Sequence, residues 1–304
     1  MKKHFQDDFL YPAPGKLVRV DGANMHVFTT GVKPDEAVHT LVFLAGSGTA
    51  CPVLDFKPLW SQLTDRYPIA VVDKFGYGWS DITEQPRDMD TLLAQTRAAL
   101  ENAGHTPPYV LVPHSMSGLE ALYWAQKYPQ EVNAIAALDI TVPDFADLLK
   151  FTFMQRFMIK IASWMGKRDM GNNGAQRSLA TRSPSATAYE SEFLTDEDRG
   201  IFVDVFRRRT FTSDMMREMH LIQDNIAAVR AQPLPVDTPL LLFSGDFKDA
   251  EKQGRNIGEL RGHHMLFASQ FNRMKHIELE CGHYVHAHQP RKIADEITAF
   301  ISML

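Results

Sequence analysis

The chain of 304 residues has little of what marks a specialised protein class. It carries only two cysteines, Cys51 and Cys281, far apart in sequence. That excludes a disulfide scaffold, and two free thiols in a reducing compartment are expected. No run reaches the roughly 18 apolar residues of a transmembrane helix, so no membrane span is expected. Positive charge is not in excess: 32 Lys and Arg stand against 37 Asp and Glu, a formal net charge of −5. Nucleic acid and anionic membrane surfaces are therefore not expected partners. The N-terminus, M-K-K-H-F-Q-D-D-F-L, has no apolar stretch of the signal-peptide kind. A cytoplasmic protein is expected, with an anchor further upstream left open. There is no internal repeat and no low-complexity tail, and nothing in the sequence indicates an oligomeric state.

What is present is an ordinary globular composition, 44% hydrophobic and 23% charged. Its length suits one large domain or a domain carrying an insertion. Residues 16–29 read as a hairpin turning at Asp21-Gly22. Uninterrupted apolar runs follow at 40–45, 69–72, 109–112, 134–138 and 239–243, with a further strand at 276–280. Helical patterns lie between most of them, as at 90–103, 118–128 and 290–303. Such alternation predicts an α/β fold, a mostly parallel, doubly wound sheet covered on both faces. In such sheets ligands bind at the carboxyl ends of the strands.

Residues 142–234 break the alternation and contain no convincing strand. Helical spacing at Phe151, Met154, Phe157, Met158 and Ile161 predicts a helical insertion, interrupted by a polar stretch at 168–188. The expected domains are a core of 1–141 with 235–304, and this insertion. Its Met and Phe side chains suit core packing, and on another face they suit the lining of an apolar substrate pocket. Glu190, Glu192, Asp196, Glu197 and Asp198 would serve an amine-recognising enzyme, but a solvated helix start is the simpler reading.

The most informative segment is Y-V-L-V-P-H-S-M-S-G-L-E, residues 109–120. An apolar strand ends at Pro113 and a helical pattern begins after Ser115. A serine held on that turn presents its hydroxyl outward, beside N–H groups at a helix start. Ser117 and Gly118 keep the turn uncrowded. A serine nucleophile needs a base. His283, in C-G-H-Y-V-H after the last strand, is the preferred candidate among twelve histidines, and His114 reads as structural. A metal cluster of His283 with His286 and His288 is not favoured, because only Cys281 accompanies it. The base needs a carboxylate. Asp139 ends its strand directly, while Asp249, or less readily Asp246, follows the strand at 239–243. Asp139 is preferred and Asp249 remains the alternative. The loop G-S-G-T-A at 46–50 offers the Ser47 N–H to an oxyanion, and Met116 offers the other.

The order of a G-S-G loop, D-K-F-G-Y-G-W-S-D, P-H-S-M-S-G, L-D and G-H-Y resembles the α/β-hydrolase superfamily over nearly the whole chain. Within it the chain resembles uncharacterised bacterial serine hydrolases of the proline-iminopeptidase-like and esterase-like kind. The resemblance implies Ser115 as nucleophile, His283 as base, no cofactor, and a cap domain at 142–234. Three positions depart from the family pattern. Ala45 stands where many members have histidine, and Pro113 stands for glycine. In Gly245-Asp246-Phe247-Lys248-Asp249 the acid lies one place late. The expected reaction is hydrolysis of a small ester, amide or peptide-like substrate with an apolar part, through an acyl-enzyme. The alternatives are a cofactor-free perhydrolase or C–C bond hydrolase, or a catalytically silent binding protein on the same fold.

Overall fold

The computed structural model describes residues 9–33, 39–144, 186–246 and 257–304. Eight strands form one sheet in the order β1-β2-β4-β3-β5-β6-β7-β8. They are β1 Lys16–Val20, β2 Ala23–Gly31, β3 Thr40–Leu44, β4 Pro68–Asp73, β5 Tyr109–Pro113, β6 Val132–Leu138, β7 Leu240–Ser244 and β8 Met274–Glu278. The hairpin β1–β2 pairs antiparallel, β2 lies antiparallel to β4, and all other pairings are parallel. Every residue of β3, β4, β5 and β7 is buried. Successive side chains point to opposite faces. Thus Val42, Leu44, Val72, Leu111 and Leu242 enter one core, and Leu41, Phe43, Val71, Val112 and Phe243 enter the other. This two-sided burial is why the strands read as unbroken apolar runs.

The described helices are α1 Pro52–Asp55, α2 Lys57–Trp60, α3 Met89–Ala103, α4 Ser117–Lys127, α5 Ala186–Tyr189, α6 Asp196–Arg209, α7 Ser213–His220, α8 Ile222–Arg230, α9 Ile257–Ala268, α10 Val285–His288 and α11 Pro290–Ile301. Residues of α3, α4 and α8 pack on one sheet face, and residues of α2 and α11 on the other. Among the described residues no helix is long and apolar enough to cross a membrane. The sequence did not reveal α1, α2 or α9. The first two are single turns, and α9 contains Gly258 and Gly262, which weaken its helical signal.

Between β6 and β7 the described residues carry the four helices α5–α8 and no strand. The expected stripe from Phe151 to Ile161 and most of the polar stretch lie outside the described residues. Asp198 caps α6 together with Thr195, and its carboxylate also accepts from Lys57 Nζ at 2.6 Å. Glu190, Glu192, Asp196 and Glu197 are exposed, as a solvated helix start requires.

The turn from Asp73 to Asp81 is pinned at both ends. Asp73 Oδ2 accepts from His26 Nδ1 at 2.7 Å and from Trp79 N–H at 3.1 Å. Asp81 exchanges backbone and side-chain hydrogen bonds with Asn24 of β2. Gly78 has φ +46°, and a Cβ there would lie 1.8 Å from Asp73 Oδ2. Only glycine fits that approach. Gly78→Ala should therefore destabilise the protein by at least ~2 kcal/mol in urea unfolding. An unchanged midpoint would show that the turn adapts.

Candidate active site

Ser115 sits between the end of β5 and the start of α4 with φ +56°. That left-handed backbone costs a non-glycine residue roughly 1–3 kcal/mol, so its surroundings must hold it. Ser115 N–H donates to Leu138 O at 3.3 Å, and its carbonyl accepts from Gly118 N–H at 3.1 Å and Thr141 N–H at 2.9 Å. Ser117 Oγ lies 2.5 Å from Leu44 O and accepts from His114 N–H at 3.0 Å. The turn is thus tied to β3 on one side and to the end of β6 on the other. Space is equally tight. A Cβ on Gly46 would lie 2.8 Å from Ser115 Cβ, and one on Gly118 would lie 2.5 Å from Ile140 Cβ. Ser115 itself is half-buried.

Asp139 leaves β6 directly, also with positive φ, +46°. Its Oδ2 lies 2.6 Å from His283 Nδ1, and its Oδ1 accepts from Gly245 N–H at 3.0 Å. Burial raises the Asp139 carboxyl, but the hydrogen bond and charge of His283, with His264 and Gly245, outweigh it and hold it below its ordinary value. The carboxylate therefore accepts from Nδ1–H, which leaves Nε2 as the basic nitrogen. The Asp139 side chain is 3% exposed and that of His283 is 44% exposed, so the imidazole bridges a dry carboxylate and open space.

Of the other sequence candidates, Asp249 lies outside the described residues. Asp246 is buried, and its N–H donates to Cys281 O at 2.8 Å. His114 is fully buried and its Nε2–H donates to His283 O at 3.2 Å. Burial, with His283 and His286 nearby, keeps it neutral by lowering its pKa well below the ordinary range. The three histidines weighed as a metal set have separate surroundings. His283 meets Asp139, buried His286 donates from Nε2 to Asp55 Oδ2 at 3.0 Å, and His288 is exposed. A different trio, Asp55, His114 and His286, brings potential ligand atoms within 4.8 Å of one another. Both cysteines are free. Burial pushes the Cys51 thiol well up and the Cys281 thiol up to about 12.

Ser47 and Met116 flank the turn, and among the described residues neither backbone N–H has a protein acceptor. Beside them lies a group of buried charges that sequence reasoning missed. Glu218, from α7, accepts at Oε1 from Lys74 Nζ at 2.7 Å and Ser47 Oγ at 3.2 Å, and at Oε2 from Arg87 Nη2 at 2.9 Å. Glu120 accepts from Thr96 Oγ1 at 2.7 Å and lies 3.8 Å from Lys74 Nζ. Lys74, Glu120 and Glu218, with Ser47, Met116 and Asn225, line a cavity of about 20 Å³, room for about one water. Its lining mixes charged with apolar side chains. The side chains expected to make an apolar lining, at 151–161, lie outside the described residues. Lys74 carried a faint signal, a lysine directly after an apolar strand, but nothing in the sequence marked Glu218.

The profile of the alpha/beta hydrolase fold family matches residues 40–290, and the chain belongs to that family. It is 35% identical over 293 residues to the uncharacterised protein YbdG of Bacillus subtilis (strain 168), covering 95% of this chain and 87% of YbdG. A haloalkane dehalogenase, the DbeA-M1 loop variant from Bradyrhizobium elkanii, superposes with TM-score 0.65 at 17% identity, covering 94% of this chain and 95% of its own. The enol-lactonase of Burkholderia xenovorans LB400 superposes with TM-score 0.60 at 16% identity, covering 94% of this chain and all of its own. The likeness to these two structures is one of fold.

Burial raises the Glu218 carboxyl, but the charges of Lys74 and Arg87 overcome this and lower it from 4.5 to about 2. A carboxyl depressed on folding stabilises the protein fully above its unfolded pKa, and the stabilisation is lost as pH falls through the folded value. The window here runs from 4.5 down to about 2. In acid titrations of stability, Glu218→Gln should start less stable at pH 6 and lose less than wild type across that window. Parallel curves would contradict the assignment.

Proposed function

We propose that the protein is a serine hydrolase that cleaves a small ester, amide or peptide-like substrate through an acyl-enzyme on Ser115. The observation that carries this reading is the 2.6 Å hydrogen bond between a buried Asp139 carboxylate and the His283 ring. A carboxylate in that place fixes the imidazole tautomer and stabilises the imidazolium. Ser115 Oγ would attack the carbonyl carbon while His283 Nε2 takes its proton. The negative charge that develops on the carbonyl oxygen would be met by the N–H groups of Met116 and Ser47. His283 then returns the proton to the leaving group, and the acyl-enzyme is released by water through the same steps in reverse. These steps call on no cofactor. The assignment of the acid to Asp139 rather than Asp249 is part of the proposal.

Serine at position 115 argues against dehalogenase chemistry, because haloalkane dehalogenases and epoxide hydrolases need an aspartate nucleophile. The enol-lactonase likeness fits carbonyl hydrolysis but names no substrate for this chain. Residues 142–234 are proposed as the cap over the cleft. The positions of α7 and α8 against Ser47, Lys74 and Arg87 support this.

Ser115→Ala should lower kcat by about 10⁶, the loss seen where a triad acts as a unit. Retention of a tenth of the wild-type esterase rate would sink the assignment. A fluorophosphonate probe should label Ser115 in the wild type and nothing in the variant; a silent binding protein would not react. Asp139→Asn should cost about 10⁴ in kcat through the wrong tautomer. Full activity in that variant, with loss in Asp249→Asn, would move the acid to the β7 loop.

A further inference from the structure

Glu218 is where the helical insertion reaches the loop after β3. Both carboxylate oxygens are engaged, and one of them holds the hydroxyl of Ser47 as well as Lys74. The residue is 5% exposed, Lys74 is 5% exposed and Arg87 is fully buried. A buried ion cluster is weak evidence for stability, since apolar residues of similar volume often do as well or better. Its placement is more telling. Ser47 follows Gly46, where an added Cβ would lie 2.8 Å from Ser115 Cβ and 2.9 Å from His114 O, so the loop passes close beside the turn. The far end of the loop is held by Gly78 N–H donating to Ala50 O at 3.0 Å, while nearer Ser47 the contacts are long: Thr49 N–H donates to Gly46 O and Gly48 N–H to Tyr77 Oη, each at 3.4 Å. An ionised acceptor makes a hydrogen bond about twice as strong as a neutral one. The Ser47 hydroxyl is thus the charge-assisted tether between this loop and the insertion.

We propose that Glu218 is a positioning residue for the oxyanion loop: by holding the Ser47 hydroxyl it fixes the orientation of the Ser47 peptide beside Ser115. This rests on the serine-hydrolase reading above. The insertion then does more than cover the cleft, because it supplies the anchor that keeps a core N–H in register for catalysis. Displacement of a pre-oriented donor by an ångström can cost on the order of 100-fold in rate.

The primary test is Ser47→Ala, which removes the tether and leaves the ion cluster intact. Its kcat on a small ester and its rate of phosphonylation by the fluorophosphonate probe should fall about 10- to 100-fold. KM and melting temperature should stay near wild type. Ser47→Thr keeps a hydroxyl and should restore most of the rate. Glu218→Gln should lower kcat similarly, with an added loss of melting temperature because Lys74 and Arg87 lose their anionic partner. The double variant should lose no more rate than the worse single one, since both remove the same tether. Wild-type kcat and labelling rate in Ser47→Ala would overturn the positioning role, as would fully multiplicative losses in the double variant. Absence of Ser115 labelling in the wild type would instead overturn the hydrolase reading beneath it.

Discussion

The left-handed backbone at Ser115 is the constraint on which the site depends. That conformation is unfavourable for serine, and it persists because the neighbours leave no alternative. Gly46 and Gly118 allow the close approach of the β3 loop and of Ile140. Leu138 and Thr141, on either side of Asp139, each bond the Ser115 peptide unit. Asp139 is itself in the left-handed region. The two adjacent parallel strands β5 and β6 therefore end in two strained turns that brace each other. One presents a hydroxyl and the other a carboxylate.

Two polar systems flank these turns, with different chemistry. On the Asp139 side, a chain of neutral groups runs inward. His276 Nε2 lies 2.9 Å from Ser244 Oγ, which lies 2.7 Å from His264 Nδ1, and His264 Nε2–H donates to Ile140 O at 2.9 Å. Burial lowers the pKa of both histidines, which suits a chain in which each ring donates once. It orders the strand end that carries Asp139 without adding charge. On the Ser47 side the groups are ionic. The charges of Lys74 and Arg87 keep Glu218 ionised, while burial raises Glu120 above its ordinary value. One system steadies the acid, and the other reaches the loop opposite.

The sheet was legible because its central strands are buried on both faces, which writes unbroken apolar runs into the sequence. The turn at Ser115 was legible because its crowding demands small residues at Ser117 and Gly118. Asp139 could be favoured over Asp249 only by its direct exit from a strand, and the hydrogen bond to His283 is consistent with that preference. His264, Glu120 and Glu218 left no comparable trace. Each lies on a helix, where a polar residue is ordinary, and each acquires meaning only from a partner distant in sequence. Glu218 stands 171 positions from Ser47. Local pattern carries no information about such pairings. The side chains read as an apolar pocket lining, at 151–161, lie outside the described residues, and the cavity beside Ser47 mixes charged with apolar side chains.

The described part of the insertion is fastened to the turn after β4 at many points. Arg209 donates to Gly78 O and Ser80 O, Thr212 Oγ1 to Gly76 O, and Asn225 Nδ2 to Arg87 O, while Asp214 accepts from the Thr83 N–H and hydroxyl. A Cβ on Gly76 would strike Asp214 Cβ at 2.5 Å. Two stretches separated by more than a hundred residues thus form one interlocking surface. Such a segment cannot be exchanged between relatives as a self-contained cassette. A transplanted insertion would have to bring residues 74–87 with it, so these two parts of the gene are expected to change in concert over descent.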